Sequence, residues 1–98
     1  MTNIDFDRRD VLKALTAVII EKVLLRTGKP ILEKVIHKLE KEYKCQILDC
    51  YDHPEYLESV LKSIFGDSYK TIVVQIKEEL TDYLDDVGIN TLVKTICR

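Results

Sequence analysis

The stretch Tyr51-Asp-His-Pro-Glu-Tyr-Leu-Glu-Ser-Val-Leu-Lys-Ser-Ile-Phe-Gly-Asp-Ser-Tyr69 spells a helix with both ends marked. Pro54 suits the first helical position, where a missing N–H costs no intrahelical bond. Tyr56, Leu57, Val60, Leu61, Ile64 and Phe65 then recur at helical spacing. Gly66 can adopt the left-handed conformation that closes a helix. Asp67 or Ser68 suits the cap of the next one. This pattern predicts an all-α chain.

The rest of the chain repeats the helical period. From Asp7 to Thr27, Val11, Leu12, Leu15, Val18, Ile19, Val23 and Leu24 form an apolar stripe, widened by Ala14, Ala17, Ile20 and Leu25. A helix apolar around so much of its circumference belongs in the middle of a bundle or in a dimer interface. Gly28 ends it, and Pro30 starts a second helix reaching Tyr43, with Ile31, Leu32, Val35, Ile36, Leu39 and Tyr43 inward. So short a link makes the two helices neighbours. A loop over residues 44–53 follows, with Ile47 and Leu48 expected against the core. The third helix is Pro54–Phe65. A fourth is predicted from Ser68 to Leu84; its Thr71-Ile-Val-Val-Gln-Ile76 run is β-branched, but the 3.6-residue period continues through it. Gly88 is read as a break, after which Ile89, Leu92, Val93 and Ile96 predict a short last helix. The expected architecture is one domain over 1–98, a bundle of four main helices plus a short C-terminal helix.

Composition limits the function classes. Apolar residues make up 46% and charged residues 33%, which argues against disorder. The net charge of −2 argues against non-specific nucleic-acid binding. The charge is uneven: residues 1–44 sum to +3 and residues 45–98 to −5. Such polarity suits orientation of a partner or of a second copy. The first ten residues are polar and carry no secretory pattern. The uncharged run Ala14 to Ile20, as long as any in the chain, is far below the roughly 20 residues that span a bilayer. Three cysteines, an odd number, read as reduced thiols in a cytoplasmic protein without membrane association.

Four groups carry possible chemistry. Cys45, Cys50 and His53 supply three soft or borderline ligands in one loop, the donor set of tetrahedral zinc, with His37, Cys97, Asp49 or Asp52 as a fourth. The spacing matches no zinc-finger pattern, so no metal and no cofactor is assigned. In the plainer reading the thiols are buried and His53 caps the third helix. Cys50 and His53 also precede a helix N-terminus, a setting that suits a thiol nucleophile. The second group, Lys34, Lys38 and Lys41, forms a stripe able to touch phosphates or to sit in solvent. The third, Glu78, Glu79, Asp82, Asp85 and Asp86, crowds a helix C-terminus against the dipole. It marks a solvated end or a surface for a basic partner. The fourth is the His–Pro turn, where Tyr51, His53, Glu55 and Tyr56 are the candidate partner-binding residues. Its tyrosines suit interface anchors, or core-edge rings with wet hydroxyls, and the second reading is preferred. Phosphate-loop, dinucleotide and His-Glu-x-x-His patterns are absent, so no catalytic residue is assigned and a non-enzyme is expected.

Gly28-Lys-Pro-Ile-Leu-Glu-Lys-Val35, Cys45, Cys50, Tyr51-x-His-Pro-Glu-Tyr-Leu57, Val60-Leu61 and Phe65-Gly66-x-Ser-Tyr69 together resemble the Nitrosopumilus output domain family of ammonia-oxidising archaea, over about residues 10–84. The resemblance implies an output or interaction module of archaeal signal transduction, here in a stand-alone version without a receiver domain. It carries over no catalytic residue. The functional expectation is a non-catalytic interaction domain with a protein partner. The alternatives are a nucleic-acid-binding regulator, possible as a homodimer, and a zinc or thiol site in the cysteine loop.

Overall fold

The structure, a computed structural model, describes residues 8–98. Asp7 and the polar N-terminal segment lie outside the described residues. Five α-helices follow one another: α1 (Arg8–Thr27), α2 (Lys29–Tyr43), α3 (Pro54–Phe65), α4 (Tyr69–Leu80) and α5 (Val87–Ile96). Three 3-10 turns, Ile47–Tyr51, Gly66–Ser68 and Thr81–Tyr83, join them. The helices close a ring in which α1 touches α2 and α4, α2 touches α3, and α5 bridges α3 and α4. This is an all-α single-domain bundle. Among the described residues no helix is long and apolar enough to cross a membrane.

The core forms where the helical stripes meet. Ile20, Val23 and Leu24 of α1, Val35 and Leu39 of α2, Leu57, Val60 and Leu61 of α3, Ile76 and Leu80 of α4, and Ile89, Leu92 and Ile96 of α5 are fully enclosed. Each such side chain contributes about 1.5–3 kcal/mol relative to exposure. Helix α1 lies at the edge of this core rather than in its middle. Its partners all sit on one side, so Val11, Val18 and Leu25 of the expected stripe remain 53%, 58% and 51% exposed. Ile36 on α2 and Leu48 in the first 3-10 turn also point outward, against expectation. The turn instead buries Ile47, Cys50 and Tyr51.

The helix ends show which punctuation acts. Gly28 has φ 146° and donates its N–H to Leu24 and Leu25, ending α1 as Pro30 enters α2. Helix α2 ends on a left-handed Lys44, φ 56°, a conformation the sequence does not advertise because it is not glycine. Gly66, φ 53°, closes α3 by donating to Lys62 O. Neither Asp67 nor Ser68 caps α4 with its side chain, because the Gly66–Ser68 turn feeds straight into it. Helix α4 stops at Leu80, not Leu84. Thr81 Oγ1 donates back to Lys77 O at 3.0 Å as the chain tightens into a 3-10 turn, and the carboxylates beyond oppose a longer helix dipole.

Gly88 lies inside α5 rather than breaking the chain. A Cβ there would stand 2.1 Å from Cζ of the Tyr51 ring, so this glycine makes room for an aromatic side chain. The Tyr51 hydroxyl donates to Asp86 Oδ2 at 2.6 Å, and the same oxygen accepts the Ile89 N–H at 3.0 Å as the cap of α5. At the other end of α5, the Tyr69 hydroxyl donates to Ile96 O at 2.5 Å.

Two predictions follow from this packing. Gly88→Ala forces the Tyr51 ring out of its seat, and urea unfolding should show a loss of about 1–3 kcal/mol, typical of overpacking; an unchanged midpoint would contradict the contact. Burial, helped at Tyr51 by Asp86, pushes the Tyr51 and Tyr69 phenols up from 10.0 to about 12, and burial pushes the Cys50 thiol from 9.0 to about 12. These groups fold in their neutral forms, so their contribution is complete below the unfolded values and is lost as pH rises through the folded ones. Stability should therefore hold flat to about pH 9 and fall between about pH 9 and 12, read by urea melts at stepped pH.

Candidate functional site

The cysteine loop does not assemble a centre. Cys50 is buried, with Sγ 3.9 Å from Gln46 O. Burial first, then the charges of Cys45, Asp49 and Glu55, hold its thiol far above the range of a nucleophile. Cys45, half-buried, is raised by burial and then by Asp49. His53 stands at the first turn of α3 but makes no side-chain cap bond, and its ring lies on Tyr56 instead. Asp49 accepts the Gln46 N–H at 2.8 Å, and Asp52 binds Lys13 at 2.9 Å and Arg9. Among the described residues no three His, Cys, Asp or Glu side chains converge as a metal site requires.

The His–Pro turn separates its tyrosines. Tyr51 is only 7% exposed, and its hydroxyl is held by Asp86 rather than wetted, so it is a core residue and leaves the candidate surface. Tyr56 is half-buried and joins a ladder of rings. Tyr43 stacks on it with centroids 4.3 Å apart and planes 14° apart, and His53 stacks at 4.7 Å and 13°. Two near-parallel rings at these distances cannot share one face, so Tyr56 is sandwiched. The Tyr43 hydroxyl donates to Ser59 Oγ at 2.9 Å, and His53 Nδ1 lies 3.5 Å from Glu55 Oε2. The side chains of His53 and Glu55 are half exposed. Stacking and these polar contacts fix the ladder, so little rotamer freedom remains for a partner to remove.

Tyr43 is the member that the sequence reading left in the core. Its signal was its place in the last turn of α2, next to the loop that returns the chain to α3. The lysine stripe does come together: Lys34, His37, Lys38 and Lys41 line a groove of about 380 Å³ between α2 and α3, with Ser63 and Ile64 opposite. Lys38 is held by Glu42 at 2.6 Å. The acidic cluster is mostly engaged inside the fold. Glu79 binds Arg26 at 2.9 Å and Lys22 at 3.4 Å, Asp85 binds Arg8 at 3.4 Å, and Asp86 caps α5. Arg26 first, then Lys22, holds the Glu79 carboxyl below its usual range.

Thiol labelling tests this geometry. Cys97 is exposed, Cys45 half-buried and Cys50 buried. A thiol-specific reagent at neutral pH should modify Cys97 first and Cys50 only as the fold opens, with mass spectrometry of timed samples giving the order. Cys50 reacting ahead of Cys97 would contradict it. Comparison of the chain with protein-family models, curated proteins and solved structures finds no match, so its own residues carry the functional reading.

Proposed function

We propose that this protein is a non-catalytic interaction module that recognises a protein partner through the ladder of Tyr43, Tyr56 and His53, with Glu55 at its edge. The stacked and partly exposed rings carry this reading. Tyrosine is over-represented among residues that dominate binding, because it adds large contact area and a polar edge at low entropic cost. The resemblance to the archaeal output domains agrees with it, since the His-Pro-Glu-Tyr-Leu turn is the sharpest part of that likeness and also supplies two of the three rings. In this reading Glu55 sets the orientation of the partner, and α3 supplies a rigid platform.

A second reading rests on the α2–α3 groove, where Lys34, His37 and Lys41 face Ser63. Such a group suits the phosphate backbone of a nucleic acid. Homodimer formation would use the outer face of α1, where Val11, Val18 and Leu25 recur at seven-residue spacing.

Capture of partners from lysate of the source cells, with nuclease-treated and untreated arms, separates these readings. The ladder reading expects a retained protein that survives nuclease and is lost with the His53→Ala/Glu55→Lys variant, whose circular dichroism stays native. Capture that is abolished by nuclease, or by Lys34→Glu/Lys41→Glu alone, would overturn it in favour of nucleic acid.

A further inference from the structure

Many of the cations in this acidic chain are neutralised within the fold. The basic residues of α1 bind Asp52, Glu79 and Asp85, and Lys62 and Arg98 share Glu58 at 3.0 and 3.2 Å. Lys70 and Lys77 on α4 differ, for neither forms an ion pair among the described residues. Both line a groove of 580 Å³ between α4, the end of α5 and the end of α3. Its floor is apolar. Val73 and Ile96 are buried beneath it, and Val74 is 49% exposed within it. The Tyr69 hydroxyl already satisfies Ile96 O.

We propose that this groove docks an acidic amphipathic helix from a partner protein, one carrying carboxylates two turns apart with apolar residues between them. The argument is charge complementarity at a fixed spacing. Lys70 and Lys77 are separated by two helical turns, about 10.5 Å along the axis, and bracket Val73 and Val74. A helix laid alongside α4 presents its own i, i+3, i+4 and i+7 side chains in one stripe. Acids at i and i+7 then meet the two lysines, and apolar residues at i+3 and i+4 cover Val74 and the apolar floor beside it. A single fatty carboxylate cannot serve two separated ammonium groups. This docking site shares no residue with the Tyr43–Tyr56–His53 ladder, so it stands independently of the function proposed above.

The test is fluorescence anisotropy of the full chain with a labelled helical peptide of about 18 residues, carrying Glu at i and i+7 and Leu at i+3 and i+4. Saturable micromolar binding is expected, weakened about tenfold or more by Lys70→Glu/Lys77→Glu. A peptide with Lys in place of Glu should restore binding to that variant. Both lysines are exposed, so the reversal should leave helicity intact, and Val74→Asp gives a second variant on the apolar component. Absent binding to the wild-type chain, or binding indifferent to the lysine reversal, overturns the proposal. Saturable binding of dodecanoate without the peptide overturns it in favour of a free amphiphile. Lysine-dependent self-association without peptide binding overturns it in favour of a second copy. Loss of peptide binding in His53→Ala would overturn the independence of the two sites.

Discussion

Two tyrosine hydroxyls tie the two ends of the last helix to the rest of the ring, beside the burial of Ile89, Leu92 and Ile96. Tyr51 reaches 35 residues along the chain to Asp86, at the start of α5, and Tyr69 reaches 27 residues to Ile96 O at its end. Helix α5 has ten residues, too few for a stable helix on its own. It therefore depends on its neighbours. Asp86 joins the Tyr51 hydroxyl to the first-turn N–H of Ile89, so one carboxylate oxygen sets both where the helix begins and where it sits. Gly88 completes the seat by leaving no Cβ against the ring. The guanidinium of Arg9 lies over the Tyr51 ring, 5.9 Å from its centroid, so the start of α1 meets the same point.

The uneven charge along the sequence has an internal use. The basic residues come early, on α1, and the acidic ones late, around the ends of α4 and α5. Folding brings them together as the pairs Arg8–Asp85, Lys22–Glu79 and Arg26–Glu79. Each exposed pair contributes little to stability, about 0–1 kcal/mol. Their larger effect is on the surface that remains. Once α1 and the acidic end have neutralised each other, the cations left for outside partners concentrate on α2 and on α4. Each of those helices lines a groove.

The helices were legible because their apolar period is strong, and Pro54, Gly28 and Gly66 mark ends that obey local rules. Features set by distant contacts were not legible. Gly88 looked like a breaker because the Tyr51 ring that requires it lies far away in sequence. Lys44 adopts a left-handed cap where local chemistry would choose glycine. The stripe on α1 looked continuous, but the ring of helices offers it neighbours on one side only, so Val18 is buried in no interface among the described residues. At the candidate site, His53 and Tyr56 were legible as a pair at a turn, whereas Tyr43 needed the return of α3 onto α2. The α4 groove had no local signal, because its floor comes from Val73 and Ile96 on different helices.

The proposed α4 groove ends against α5, and α3 of the proposed ladder packs on α5, so the placement of α5 by the tie at Asp86 is the structural claim to test first. A double-mutant cycle of Tyr51→Phe with Asp86→Ala, followed by urea unfolding, measures it directly. Removal of the cap appears in both backgrounds and cancels, leaving the coupling between hydroxyl and carboxylate. The structure predicts a coupling of about 1–2 kcal/mol. Additive losses, with coupling near zero, would mean that the Tyr51–Asp86 bond does not hold α5 and would contradict the account.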